Sequence, residues 1–360
     1  MGGGILGAAW EIGCLTALDR MLRGRYATSQ CDLYIGISAG SVVASLLANR
    51  VPPARVYEAL IKDQRAAFNF SRADIYRLNK KQLFFATGRT LLNMTRSARQ
   101  YYRRQKSLHF SDVFYILQEQ LPAGIFSLNP LQSYLCRAFN EENLIDNFTE
   151  LSAELYIPAF DIDLGERVVF GTEGQRDLHL CQAITASCAI PVFFQPFPIE
   201  GRHYIDGSAG RIGHIDLAID AGADLILAIN PRVPIRNDRQ ISCLPSLSRG
   251  KCESIANLGV SFVWEQAERI EGRERLELGL NALRKQHPKT DILLFEPRND
   301  EPLLFLQSPM NFNARLLVME YGYQTTLDYL RQNFDELEKV FMRHGCRISR
   351  RHLDDLPPTP

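Results

Sequence analysis

The chain has 360 residues, enough for one large α/β domain or two ordinary ones, so length alone leaves the domain count open. Hydrophobic residues make up 46% and charged residues 23%, the balance of an ordinary globular protein. Lysine plus arginine equals aspartate plus glutamate at 41 each, which argues against a dedicated nucleic-acid binder with its basic excess, while leaving room for local basic patches.

The chain opens on Gly2-Gly3-Gly4-Ile5-Leu6-Gly7, and the spacing of Ile12, Leu15, Leu18 and Leu22 predicts a helix from Ala8 to about Leu22. This start lacks a basic n-region, so no signal peptide is expected, and Leu6 stands where a myristoylation signal has Ser or Thr. Cys31 to Ile37 reads as a buried strand and Ser38 to Asn49 as a helix; Pro52-Pro53 breaks it before another helix to about Lys62. Over 68–107, aromatic and apolar residues precede Arg96, Arg99, Arg103, Arg104 and Lys106, which we read as a helical insertion over the core. The 83–107 part suits peripheral contact with an anionic lipid surface; a solvated helix face beside a core-packing stripe is the commoner meaning of such a pattern.

Strand signals return at 154–163 and 167–170, with Gly165-Glu166 as the turn. A helix over 177–187, a proline-punctuated stretch from Pro191 to Pro198 and the strand-like His203 to Ile205 then lead into Asp206-Gly207-Ser208. Asp224 to Asn230 is a buried strand, Pro231 to about Cys252 a polar loop, 254–286 a long helix, 291–295 a strand and 312–343 a last helix, with 346–360 expected to fray. Strands alternating with helices mean an α/β class with a parallel-type sheet, and neither a repeat nor a linker divides the chain. The eight cysteines show no CxxC pair or metal spacing and read as reduced core thiols of a cytosolic protein. No stretch reaches the roughly 18 apolar residues of a membrane span, so any membrane contact is expected to be peripheral.

Three elements carry chemistry. Gly36-Ile37-Ser38-Ala39-Gly40 follows a strand and opens a helix, as a nucleophile elbow requires, and the glycines leave room for a strained turn at Ser38. Gly2 to Gly7 places backbone N–H groups before a helix, where they can hold an oxyanion; Gly2, Gly4 and Gly7 also fit the spacing of a dinucleotide loop. Asp206-Gly207-Ser208 ends a strand, where catalytic side chains collect, although an isolated Asp-Gly is usually a turn. A Ser-His-Asp triad would need a histidine after the acid; His214, His287, His344 and His352 follow, none in a recognisable catalytic loop, and His214 reads as a helix start.

In this order GGGILG, GISAG and YIDGSAG, with ITASCAIPVFFQPF at 184–197 before the last, resemble the patatin-like phospholipase family over roughly residues 1–232. The resemblance implies a three-layer α/β/α patatin-like fold with a mainly parallel central sheet. Together with the elements read above, it leads us to expect a single domain over 1–345, with the helical insertion at about 68–130, a C-terminal helical part at about 254–345 and a frayed tail at 346–360. It also implies a lipid acyl-hydrolase with Ser38 as nucleophile and Asp206 as general base, needing no histidine. Gly2, Gly3 and Gly4 become the oxyanion hole, and Gly36, Gly40 and Gly207 the turn residues. No cofactor and no metal are implied, and the partner is the lipid substrate rather than nucleic acid. Neutral-lipid hydrolysis or acyl transfer on the same site, and a non-catalytic lipid-binding role, stand as alternatives. Two departures matter. Leu6 occupies a loop position where the family often has a basic residue, which leaves backbone donors alone to hold the oxyanion. The family also has a strand before the glycine loop, whereas this chain begins at Met1, so such a strand is expected upstream of the stated start.

Overall fold

The computed structural model describes residues 2–22, 24–62, 71–75, 77–78, 103, 122–211, 213–238, 240, 243–245 and 250–354. Helix α1 (Gly4–Met21) is followed by β1 (Leu33–Ile35), α2 (Ala39–Ala48), α3 (Pro53–Ile61), β2 (Arg77–Leu78), β3 (Gly124–Ser127) and α4 (Asn129–Glu141). Next come β4 (Glu154–Asp161), β5 (Glu166–Phe170), α5 (Leu180–Ser187), β6 (Val192–Phe194), β7 (Phe197–Ile199) and β8 (Arg202–Asp206). The chain continues through α6 (Ile215–Asp220), β9 (Leu225–Ile229), α7 (Val260–Gln286), β10 (Asp291–Phe295), α8 (Arg315–Gln332) and α9 (Phe334–Arg343). The insertion expected at about 68–130, including its 83–107 face, lies mostly outside the described residues; at its borders β2 pairs with β3, and β3 with β6, in a small sheet.

The central sheet is mixed. β1 pairs parallel with β4 (Tyr34 opposite Leu155), β4 pairs antiparallel with β5 and β8, and β8 pairs antiparallel with β7. The expectation of a mainly parallel sheet therefore gives way, because tight turns return the chain at once after β4 and β7. Between Ile199 and Arg202 only Glu200 and Gly201 intervene, at φ 49° and 79°, the two-residue turn whose twist suits a hairpin. β9 and β10 keep the parallel pairing expected of α/β chains.

Strand alternation builds the layers. Tyr34 of β1 enters the main core with α1, α2, α3 and α8, while Leu33 and Ile35 turn to the opposite face. There they meet Ile226, Ala228 and Ile292, covered by Ile215 and Ala218 of α6 and Leu276 and Leu280 of α7. Leu225, Leu227, Leu293 and Phe295 return to the first face. A sheet that is apolar on both sides needs helices on both sides, and the result is a three-layer α/β/α arrangement.

Several expectations shift in detail. Helix α1 starts at Gly4 rather than Ala8, because the glycines themselves form its first turn. The last long helix is two, parted at Asn333, whose side-chain amide donates to the Tyr329 carbonyl at 2.8 Å. The segment 346–354 is anchored rather than frayed: Ile348 bridges Leu22, Leu353 is wholly buried, and Arg331 donates to the Leu353 carbonyl at 2.7 Å. Residues 355–360 lie outside the described residues. Four cysteines are paired, Cys136 with Cys181 and Cys243 with Cys252, whereas Cys14, Cys31, Cys188 and Cys346 are free thiols. Sequence spacing does not announce the first pair, since its partners come from α4 and α5 and meet only through tertiary packing. Among the described residues no helix is long and apolar enough to cross a membrane.

Helix α1 is gripped by α8 at two glycines. A Cβ on Gly13 would sit 2.1 Å from the Met319 carbonyl oxygen, and one on Gly322 would sit 2.6 Å from that of Trp10. Both obstacles are backbone, which no rotamer change can move aside. Gly13→Ala is expected to lower stability by about 1–3 kcal/mol, seen as an earlier urea midpoint; an unchanged midpoint would count against the grip described here.

Candidate active site

Strand β1 continues into Gly36, whose N–H donates to the Tyr156 carbonyl at 3.0 Å, and the chain then turns sharply. Ser38 sits at φ 53°, ψ −133°, a conformation that costs a residue with a side chain about 1–3 kcal/mol. Helix α2 starts directly after it: the Gly40 N–H returns to the Ile37 carbonyl at 2.9 Å and the Ser41 N–H to that of Ser38 at 2.8 Å. Gly36 has no alternative, because a Cβ there would lie 2.4 Å from Ser41 Cα. A further clamp was not singled out from sequence. The buried Ser187 hydroxyl accepts the Ser38 N–H at 3.0 Å and donates to the Pro158 carbonyl at 2.7 Å, tying the elbow to β4.

The glycine loop lies against this elbow. A Cβ on Gly2 would come within 2.8 Å of Ser38 Cβ and 3.4 Å of Ser38 Oγ. Gly3 and Gly4 hold φ 129° and 65°, and a Cβ on Gly4 would meet the Pro309 carbonyl oxygen at 2.8 Å. Gly3 caps α1 with no side-chain hydrogen bond, so the helix and its positive dipole end open directly after Gly2, the residue packed on Ser38. A dinucleotide loop would leave Gly2 open to a pyrophosphate; here Gly2 is packed on a serine.

Asp206 ends β8 opposite Ala159 of β4, and its N–H donates to the Ala189 carbonyl at 2.9 Å. Its carboxylate is buried. Oδ1 accepts the Ser208 N–H at 2.8 Å and the Ser208 hydroxyl at 2.7 Å, whereas Oδ2 has no hydrogen-bond partner. Burial raises its pKa above the ordinary 3.8, opposed by the neighbouring Ser38 hydroxyl, by Ser208 and by the charge of Arg232. Gly207 lets the strand end close on the elbow, since a Cβ there would sit 2.3 Å from the Pro158 carbonyl oxygen and 3.2 Å from Ile37 Cγ2. Cys188 also borders the pair, and burial pushes its thiol up, keeping it neutral. Ser38, Asp206 and Gly2 thus meet at one point, flanked by Gly3, Gly4, Gly36, Gly40 and Gly207.

Among the described residues no histidine nitrogen contacts Ser38 or the Asp206 carboxylate. His214 begins α6, as expected, but its buried ring also braces the turn after Asp206: Nε2 lies 2.9 Å from the Gly207 carbonyl and Nδ1 lies 3.2 Å from Arg167 Nη1. A guanidinium only donates and a carbonyl only accepts, so Nδ1 is the acceptor and Nε2 carries the proton. His344 pairs with Asp291 at 2.8 Å, far along the chain from the elbow. Among the described residues, one group with metal-ligand chemistry stands out: Cys136, Asp146 and Cys181. Its sulfurs are bonded to each other, and Asp146 Oδ1 accepts the Cys181 N–H at 2.9 Å, so these atoms already have partners.

The family model for patatin-like phospholipases matches residues 1–213, a span that holds the glycine loop, the elbow and Asp206. The chain belongs to the patatin-like phospholipase family. It is similar to the probable lipid hydrolase 463L of Invertebrate iridescent virus 6, 22% identical over 219 residues, which are 61% of this chain and 62% of that protein. The chain therefore spans less than two thirds of that relative's length. The crystal structure of VipD from Legionella pneumophila aligns over 91% of this patatin-like chain and 65% of its own, at 16% identity and a TM-score of 0.37.

Two outcomes test the bracing groups. The His214 ring takes up a proton at about 4 in the fold instead of the ordinary 6.5, chiefly because burial disfavours the cation. Between those values the unfolded chain binds more protons, so stability grows with pH and is lost as pH falls, by up to about 3 kcal/mol. Thermal melts from pH 7 to 4 should show that loss, and His214→Gln should flatten it. Ser187→Ala leaves the buried Ser38 N–H and Pro158 carbonyl without partners, so denaturation should reveal a loss of about 2 kcal/mol.

Proposed function

We propose that the chain is a serine acyl-hydrolase of lipid esters, with Ser38 as nucleophile, Asp206 as general base and the N–H groups of Gly2, Gly3 and Gly4 as oxyanion hole. One observation carries the reading: an unpartnered, buried Asp206 oxygen and a side-chain-free backbone both border the strained Ser38. Family membership and the name of the viral relative support lipid esters as the substrate class.

In acylation Ser38 Oγ bonds to the ester carbonyl carbon while its proton passes to Asp206, and the carbonyl π pair moves onto oxygen beside the glycine N–H groups. The tetrahedral intermediate collapses as the carbon–alkoxy bond breaks, and Asp206 returns the proton to the departing alcohol. Water then gives a proton to Asp206 and its oxygen to the acyl carbon. Ser38 Oγ leaves with that proton, which releases the fatty acid and restores both groups. Burial suits Asp206 to this work, because a carboxylate with a raised pKa is a stronger base.

A fluorophosphonate probe should label the wild-type chain, and Ser38→Ala should abolish labelling and lower lipid-ester hydrolysis on the order of 10⁴-fold. Asp206→Asn should cut activity comparably yet raise the melting temperature at neutral pH. The raised pKa means that the folded chain holds its proton longer than the unfolded one, so ionised Asp206 lowers stability at neutral pH. A wild-type chain that resists the probe would favour a lipid-binding role.

A further inference from the structure

The glycine loop has no charge of its own, since between Gly2 and Gly7 the side chains are Ile5 and Leu6, both buried. An arginine stem lies against it all the same. Pro231 and Arg232 leave the end of β9 and pack on the loop: a Cβ on Gly3 would sit 3.2 Å from Pro231 Cγ and 3.5 Å from Arg232 Cγ. Gly3, Leu6, Gly7, Arg232 and Arg269 border one small cavity there.

The residue is held firmly but not consumed. Asn230 Oδ1 accepts the Arg232 N–H at 3.2 Å and Asn230 Nδ2 donates to its carbonyl at 3.2 Å, which fixes the backbone. The guanidinium gives Nη2 to Glu265 at 3.3 Å, while its Nε is buried with no partner. Glu265 also serves Arg269 at 2.8 Å, and Arg269 spends its remaining nitrogens on the Val233 and Leu304 carbonyls, each at 3.0 Å. The next carboxylate, Glu296, takes the Asn230 amide at 2.8 Å and Arg273 at 3.0 Å, a cation that Glu277 shares at 2.8 Å, and no ion pair joins it to Arg232. Two guanidinium ions share one carboxylate, so positive charge is left over beside the loop. A purely structural arginine in this place would be expected to satisfy its buried nitrogen, as Arg269 does. The surplus also acts on Asp206, where Arg232 is one of the groups that favour the ionised form.

We propose that Arg232 is the fixed cation of the site, acting across Gly3 on the negative charge that develops on the ester carbonyl oxygen during attack by Ser38. It is a positioning residue that touches the loop and not the substrate, and its role rests on the Ser38–Asp206 hydrolase reading. Charge supplied from β9 replaces what the loop lacks, and the partly buried setting keeps its field from being fully screened.

The test uses the full chain with p-nitrophenyl butyrate and a fluorophosphonate probe across pH. Arg232→Met is expected to lower kcat roughly 10- to 100-fold with KM little changed. It should also move the acid limb of kcat/KM to higher pH, because Asp206 loses a group that keeps it ionised. Arg232→Lys should recover part of the rate. Glu265→Gln, which adds net positive charge, should move the acid limb the other way. Should Arg232→Met fail to fold, Glu265→Gln still decides through its displacement of that limb, while Arg232→Lys, which keeps the charge, should leave the limb near its wild-type position. Wild-type kcat and limb in Arg232→Met, or no displacement in Glu265→Gln, would overturn the proposal alone. A wild-type chain that neither turns over nor labels overturns the hydrolase reading and this proposal with it.

Discussion

Two stretches of backbone meet at Ser38 with no space for a side chain between them. Gly2 lies close enough that a Cβ would strike the serine, and Gly36 is closed in by α2 on the other side. Ser38 itself holds a positive φ that only surrounding structure can enforce. Much of the fold serves that enforcement. The Ser187 hydroxyl joins the elbow to β4, Gly207 brings the end of β8 against Ile37, and β1 is fixed by its register with β4. The glycine loop is the first turn of α1, so its position depends on how α1 is seated, and Gly13 and Gly322 seat it against α8.

The electrostatics follow from the same crowding. A buried carboxylate with one unpartnered oxygen costs about 1–3 kcal/mol, and the strained serine beside it costs a similar amount. Two such costs at one point stand out in a core made chiefly of apolar side chains. Around Asp206 the fold instead removes competing protons: Cys188 is kept neutral by burial, and His214 is neutral with its proton on the nitrogen that braces Gly207. Two hydroxyls remain beside Asp206, those of Ser38 and Ser208.

The glycine loop, the elbow and Asp-Gly were legible in the sequence because each is local: a turn, a strand end or a helix start writes itself in consecutive residues. Layers were legible from alternating apolar strands such as 225–229 and 291–295. The β4–β5 hairpin was legible from its Gly165-Glu166 turn, but the antiparallel pairing of β8 with β4 and β7 was not, because pairing depends on which neighbour a strand finds, and the Glu200-Gly201 turn carries no strong hairpin signature. Ser187 lay inside a quoted motif, yet nothing in its own neighbourhood says that its hydroxyl reaches an amide 149 residues earlier in the chain. His214 and Arg232 were missed for the same reason. For Arg232 one signal was present, since it follows a strand end, the place where open α/β sheets gather functional side chains. Cys181 reads as a reduced core thiol in the sequence because its partner lies on another helix.

The family match ends at residue 213, but the site does not. Pro309 supplies the carbonyl that accepts the Leu6 N–H at 3.2 Å and stands where a side chain on Gly4 would be. Pro231 and Arg232 press on Gly3, Met319 presses on Gly13, and Ile348 bridges Leu22 at the far end of α1. Each of these residues lies beyond the matched span, and each acts on α1 or its opening turn. A loop of consecutive glycines has more backbone freedom to lose than any other sequence, so it needs external contacts to hold a single shape. The chain beyond residue 213 supplies those contacts. It forms the back wall of the glycine loop, and without it the N–H groups beside Ser38 would have no fixed direction in which to point.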